Sequence, residues 1–501
     1  MAPQTFDQKT SDFFSWFRAQ PGTTFHDDIE IQDLRGKGAG RGIVAKADIS
    51  PDTVLFTIPR KSIICTNTSS LATRVPGLFG PPEEQNGADQ DMDVEDEEGR
   101  DDSDDENDTS QDSWTSLILV LIYEYFQGVD SPWKPYLEVL PSTSDFSTPM
   151  FWTADELAEL QASPVASKVG RDEADKMMRT KVLPVVRAHR DVFFPAGSPD
   201  LNDDQLVQLA FRMGSIIMAY AFDLEKEDDE EQDEEAEEED EWVEDREGKT
   251  MLGMVPMADI LNADATFNAH IEHGEQALTA TSLRPIAKGE EIFNYYGPLS
   301  NGELLRRYGY TTVTHRRWNL VDLAWETVVA ALKAELPLPA KDWEKALGAL
   351  DEDELEDGFV IERGADDPDS EGRVSKVEKK ADAPEELLEQ LKVVLKAVKK
   401  VKPEAVPDKA ARDKILYSAI ARALEERTGQ YGTTLEQDLK QYEEDVDGSD
   451  RKLVRQRMAL DVRIGEKVLL GQAADSIKAK LTELAKAESD GEKPSAKRRR
   501  V

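Results

Sequence analysis

One cysteine, Cys65, stands in a chain of 501 residues, so the chain alone can build neither a disulfide nor a cysteine-rich zinc site. It lies in the apolar run "KSIICT", where a small buried thiol is the expected role. The sequence has no run of about 18 apolar residues and no apolar signal core at its start. This argues against a membrane-spanning helix and against secretion by the usual route. An intracellular, reducing compartment is therefore expected. Cations are scarce too: 61 Lys and Arg face 103 Asp and Glu, for a net charge of −42. Such a charge repels bare DNA and RNA, so no direct nucleic-acid binding is expected, and it attracts Lys/Arg-rich protein.

Much of the charge is concentrated. Residues 91–112 hold thirteen acids against one arginine, and residues 223–245 hold seventeen against one lysine, together about two thirds of the net charge. Like charges repel, and these blocks lack the apolar side chains that would repay chain entropy by burial. They read as disordered insertions in surface loops, at about 83–112 and 223–248. A chain of this length also exceeds what one core usually supports, so two or more folding units are expected.

Phe6, Phe13, Phe14, Trp16 and Phe17 give residues 5–20 one packed helical face, so residues 1–24 read as an N-terminal helix. From "IEIQD" to "SIICT" the pattern changes to β-branched runs punctuated by Gly, Asp and Pro, which predicts three or four short strands. "SWTSLILVLIYEYFQG" predicts a strongly apolar helix with Ser113 as its N-cap, and helical patterns continue to residue 222. Strand patterns then return. The predicted fold class is α+β: a β-rich domain over 25–311, its strands near 28–67 and 250–311, split by a helical insertion at about 113–222. Residues 318–488 read as an all-α domain, with the boundary close to Arg317. A basic tail at 489–501, "KPSAKRRRV", has the composition of a nuclear import signal.

Three stretches carry candidate chemistry. In "RGKGAGRGIVA", residues 35–45, Gly36, Gly38, Gly40 and Gly42 permit close backbone approach to a ligand, but the pattern is neither a dinucleotide fingerprint nor a P-loop. A plain β-turn explains it equally well. In "MVPMADILNADATFNA", Asp259, Asn262, Asp264 and Asn268 interrupt an apolar run; an amide can fix a ligand's polar edge, and Asx-turns are the alternative. His270 and His273, three apart on a predicted strand with no further ligands, give no metal site. "EIFNYYGPLSNGELLRRYGY", residues 291–310, repeats Tyr-Gly at Tyr296 and Tyr308. Alone, it fits an ordinary β corner.

In their order along the chain, the glycine turn, the helical insertion, "ADILNAD", "GEEIFNYYG" and "RRYGY" resemble the SET-domain protein-lysine methyltransferases. The likeness is to the Rubisco large-subunit methyltransferase type, and within it to the fungal ribosomal lysine N-methyltransferase 4 group, related to animal SET-domain protein 6. It covers roughly residues 25–485 outside the acidic blocks, and "RMALDVRIGEKVLL" is similar to that branch's last, substrate-binding domain. The resemblance implies S-adenosyl-L-methionine as cofactor and no metal. Gly40, Arg41 and Gly42 would present backbone groups to it, with Asn262 and Ala263 holding its polar part. Tyr296 matches the catalytic tyrosine, Tyr308 would pack against the cofactor or close the lysine channel, and Phe293 and Asn294 would line that channel. The family often has Asn-His where this chain has Asn262-Ala263, so the histidine's contact must come from backbone or water.

Methyl transfer from a sulfonium to an amine is an in-line displacement that needs alignment rather than a metal. Many histone-directed SET enzymes carry zinc-binding cysteine clusters, which are missing here, so the resemblance implies a basic non-histone substrate. The expectation is monomethylation of a 60S ribosomal protein by a monomeric enzyme in the nucleus, with the cytoplasm as a further location. The alternatives are a histone or other nuclear protein as substrate, or a non-catalytic acidic chaperone for basic proteins.

Overall fold

A computed structural model describes residues 4–79, 108–199, 201–225, 250–350, 355–376, 379–407, 409–444, 448 and 450–491. Most of both acidic blocks and the basic tail, read above as loops and an import signal, lie outside the described residues. The chain divides into two compact units. The first comprises Met1–Phe146, Gly170–Gly297 and Asp369–Arg373, the second Ser147–Val169, Pro298–Pro368 and Val374–Val501.

In the first unit the N-terminal helix runs from Phe6 to Ala19, opened by a capping box between Thr5 and Gln8, and it buries Phe13 and Phe17. Among the described residues ten strands follow: β1 (Thr24–Phe25), β2 (Ile29–Asp33), β3 (Arg41–Ala45), β4 (Val54–Pro59), β5 (Ala221–Glu225), β6 (Thr250–Met254), β7 (Asn262–Ala263), β8 (Ala269–His273), β9 (Ala277–Ser282) and β10 (Glu291–Asn294). They form sheets in the orders β1-β4-β9-β8 and β2-β3-β10-β7, with β5 and β6 as a separate antiparallel pair. Both four-stranded sheets draw strands from either side of the helical insertion, as the split pattern predicts.

Two expectations at the insertion are corrected. The helix Asp108–Gln127 begins five residues before Ser113, whose hydroxyl accepts from Leu252 N (3.3 Å) instead of capping a helix end. Asp223–Glu225, assigned above to an acidic loop, belong to β5, where alternation in "AFDLE" is satisfied by pairing with β6. Cys65 is buried, with its backbone N–H bonded to the Thr68 hydroxyl (3.0 Å).

The second unit begins earlier than Arg317 and takes Ser147–Val169 out of the expected insertion. One apolar cluster accounts for this: Leu305, on the N-terminal side of the expected boundary, is buried with Trp152, Leu160, Val165, Met458 and Val462. Nor is this unit helical throughout. Two strands, β11 (Leu320–Ala324) and β12 (Gly358–Glu362), pair antiparallel and bury Val321, Leu323, Phe359 and Ile361 in the core of the helices Trp325–Glu335, Glu385–Val401, Lys409–Gly429 and Arg451–Gly491. Both strands are five residues long, too short for a period of two to stand out in a largely helical unit.

The long helix Arg451–Gly491 buries charge as well as apolar surface. Asp438, fully buried, bonds Arg463 (3.1 Å) and Lys467 (2.5 Å), so each charge meets its opposite away from water. One turn away, Glu466 accepts from the hydroxyls of Ser163 and Tyr431, both at 2.7 Å. Burial outweighs those two donors and pushes its carboxyl up to about 7. A carboxyl raised on folding keeps its proton in the native chain after the unfolded chain has lost it. Stability attributable to Glu466 is therefore full below about pH 4.5 and declines as pH rises to about 7, by up to about 3 kcal/mol. Urea unfolding of the full chain and of Glu466→Gln at pH 5 and pH 7.5 checks this: the unaltered chain should lose more stability over that interval than the variant.

Candidate active site

The sheet β2-β3-β10-β7 brings together segments some 220 residues apart in sequence. β3 lies antiparallel to β10 through Val44 opposite Glu291 and Ile43 opposite Ile292. β7 lies parallel to β10 through Asn262 beside Phe293 and Ala263 beside Asn294. Across this arrangement the Asn262 Nδ2 group donates to Arg41 O (3.1 Å) and to Glu291 Oε1 (2.6 Å). Both amide hydrogens are thus committed to tying the glycine segment, β7 and β10 into one body, and the side-chain oxygen is what Asn262 has left to present.

Gly42 is required by close approach. A Cβ there would stand 2.7 Å from Glu291 Oε1 and 2.9 Å from Asn262 Nδ2, and closer still to Leu34 Cδ1. Gly40 is different, because a Cβ on it meets nothing within 4 Å. The segment therefore has one glycine sealed into the sheet and one facing open space. Gly38, at φ 82°, supplies the left-handed turn that leads the chain back from β2.

Tyr296 is half-buried, and its hydroxyl donates to Leu261 O (3.0 Å), the carbonyl just before Asn262. Tyr295 stacks on Phe267, with ring centroids 4.7 Å apart and planes at 16°. Phe293 and Asn294 are successive strand residues, half-buried and buried respectively, so their side chains point to opposite faces of β10. The expected channel role of both therefore draws on two faces of the strand or on its backbone. Ala263 is buried, paired through its backbone to Asn294.

Two groups here had too weak a signal in the sequence. Asn268 is fully buried and makes no Asx-turn; its Nδ2 donates to Glu291 O (2.9 Å), its Oδ1 accepts from Phe293 N (2.9 Å), and its own N–H donates to Phe293 O (3.2 Å). It acts as a one-residue strand along β10 beyond the short β7. Asp264 does form an Asx-turn, the alternative reading of this stretch, to Thr266 N (2.9 Å). The second group is Asp259, buried with Tyr136, whose hydroxyl donates to Oδ2 at 2.5 Å. Burial raises Asp259 to about 7 and Tyr136 well above the usual phenol range, and nearby Tyr220 is pushed up to about 12 by burial and the Asp259 charge. Neither partner could have been found by spacing, since 123 residues separate them.

Tyr308 is not among the residues gathered by this sheet. It ends the helix Asn301–Tyr308 in the second unit, where Gly309 takes the left-handed cap conformation (φ 78°), and its ring lies 6.2 Å from that of Tyr310. His270 and His273 are exposed on β8. Among the described residues no group of three His, Cys, Asp or Glu side chains could hold a metal ion, and no helix is long and apolar enough to cross a membrane.

The SET domain profile matches residues 40–297, just over half of the chain and the span that contains every sheet residue described above from Gly40 to Tyr296. The chain belongs to the SET-domain family. A second profile, Rubisco LSMT substrate-binding, matches residues 370–470 of the second unit. Ribosomal lysine N-methyltransferase 4 of Saccharomyces cerevisiae is 31% identical over 331 residues, which cover 66% of this chain and 60% of the yeast protein. N-lysine methyltransferase SETD6 of Bos taurus is 31% identical over 305 residues, 60% of this chain and 56% of the bovine protein. The chain thus spans less than two thirds of the length of either relative. The crystal structure of the SET domain of LSMT bound to lysine and AdoHcy superposes with a TM-score of 0.60 at 18% identity, covering 99% of this chain and 98% of that one, and so shares the fold.

Within this SET domain the two glycines should behave differently. Gly42→Ala should lower the stability of the full chain by about 1–3 kcal/mol, because Glu291 and Asn262 are pinned by their hydrogen bonds and cannot give way. Gly40→Ala should change it by less than about 1 kcal/mol. Paired urea titrations check both, and equal losses would contradict the packing described.

Proposed function

We propose that this SET-domain protein is an S-adenosyl-L-methionine-dependent protein-lysine N-methyltransferase, acting in the nucleus as a monomer and monomethylating a basic protein, first among them a large-subunit ribosomal protein. The observation that carries the reading is the Asn262 tie: it places the glycine segment, the Leu261 carbonyl and the Tyr296 hydroxyl in one rigid assembly. The donor set suits the cofactor. Gly40 is open to an approaching ligand, and the segment 40–42 offers backbone groups to polar atoms. Asn262 Oδ1 can accept from an amino or amide-like N–H. When bound, the cofactor supplies an electrophilic methyl group on a sulfonium.

This chain's own residues then have three tasks. Tyr296, whose hydroxyl donates to Leu261 O, orients the incoming amine and the cofactor methyl group by hydrogen bonding and weak C–H contacts. The apolar lysine channel that the resemblance implies would strip water from the ammonium and lower its pKa, so that the neutral amine is available to attack. The rigid sheet holds these groups in line, which is where most of the rate gain of such a displacement resides. For Tyr308 the resemblance supports a role at the cofactor or the lysine.

The relatives' names support the substrate class: the yeast relative is called a ribosomal lysine methyltransferase, the bovine one an N-lysine methyltransferase. The net charge of −42 favours a Lys/Arg-rich protein over nucleic acid. Incubating the purified chain with labelled S-adenosyl-L-methionine and either large ribosomal subunits or core histones tests this directly. Label should enter a ribosomal protein, and Tyr296→Phe and Asn262→Ala should each reduce the rate by roughly 100-fold. Labelling of histones alone would move the assignment to that substrate. Absence of cofactor binding by calorimetry, with retained binding of basic proteins, would replace catalysis by a chaperone role.

A further inference from the structure

We infer that Arg41 is a positioning residue for the cofactor segment and that the N-terminal helix Phe6–Ala19, outside the matched SET span, is a built part of that site; this rests on the cofactor reading above. The segment is Gly40-Arg41-Gly42. Glycines hold the backbone least of all residues, so only residue 41 has a side chain with which to fix it. That side chain turns back to the N-terminal helix. Arg41 Nε donates to Thr10 Oγ1 (2.8 Å), Nη1 donates to Val139 O (3.0 Å), and the guanidinium carbon lies 4.0 Å from the centre of the Phe6 ring. On the backbone side Arg41 O accepts from Asn262 Nδ2. Residue 41 is therefore held at both ends, by elements 31, 98 and 221 residues away in sequence.

The Thr10 contact is oriented. Its hydroxyl hydrogen goes to Phe6 O (2.9 Å), which leaves a lone pair for the arginine. Phe6 is itself packed by a second guanidinium, Arg35, at 3.9 Å, and Arg35 is paired with Asp33 at 2.6 Å. The partners of Arg41 are a hydroxyl, a carbonyl and a ring, none of which neutralises its charge, although burial depresses its pKa. A device built only to attach the helix would more cheaply be apolar. What the guanidinium adds is direction: a planar fork with fixed donor angles sets the rotation of the backbone between two glycines. A segment already in its bound conformation loses less freedom when a ligand arrives.

The test uses the full chain and three variants, Thr10→Val, Thr10→Ser and Arg41→Ala, in two measurements. Calorimetry with S-adenosyl-L-methionine should show affinity weakened about five- to tenfold in Thr10→Val and Arg41→Ala, and within about twofold of the unaltered chain in Thr10→Ser. Amide hydrogen exchange without ligand should be several-fold faster at residues 40–42 in Thr10→Val, while exchange in β9 is unchanged. Unaltered affinity and exchange in Thr10→Val and Arg41→Ala would overturn the inference alone. So would a loss of affinity that tracks a general loss of stability and that Thr10→Ser does not restore. Failure of the unaltered chain to bind the cofactor would overturn the cofactor reading and this inference with it.

Discussion

Everything proposed for this protein depends on one side-chain amide. Asn262 has two hydrogens and spends both on holding other segments, one on the carbonyl of Arg41 and one on the carboxylate of Glu291. β7 is two residues long and could not be held by its ladder bonds alone. The amide supplies what the short strand lacks, and it can reach because Gly42 has no side chain in its path. A missing Cβ and a two-armed donor therefore act as one device: the first lets the strands close, the second locks them.

The same economy runs through the neighbouring polar groups. Asn268 satisfies the edge of β10 in place of a further strand, and Tyr296 uses its only hydrogen on Leu261 O. Buried polar groups are expensive when unpaired, so each such bond also removes an alternative register. In the second unit, Asp438 with Arg463 and Lys467 does for the long helix what Asn262 does for the sheet. There the pairing is ionic, and Glu466 beside it makes the stability sensitive to pH.

Much of the architecture could be read from residue patterns. Phe6, Phe13 and Phe17 announced the N-terminal helix, and the β-branched runs on either side of the insertion announced a split β-rich domain. The errors arose where a local pattern was overruled from a distance. Ser113 looked like a cap, but β6 claims its hydroxyl. Asp223–Glu225 looked like part of an acidic loop, but β6 offers them a ladder. The second unit starts before Arg317 because Leu305 joins a cluster with residues around 152–165 and 458–462, which no window along the chain reveals. β11 and β12 are five residues long, and their period of two does not stand out in a largely helical unit.

The sequence by itself determined the class of the protein: a split β-rich domain of the SET family over residues 40–297, a largely helical second part, and a single cysteine, too few for a cysteine-rich zinc cluster. Residue type and order along the chain are local information, and turns, caps and periodicities are local physics. The tertiary structure alone decided what each of those residues does with its atoms. It committed the hydrogens of Asn262 inward, put Phe293 and Asn294 on opposite faces, and tied Arg41 to Thr10 and Val139. Hydrogen bonds and steric fit act over about 3–4 Å in space, whatever the separation in sequence, so their partners are known only once the chain has folded.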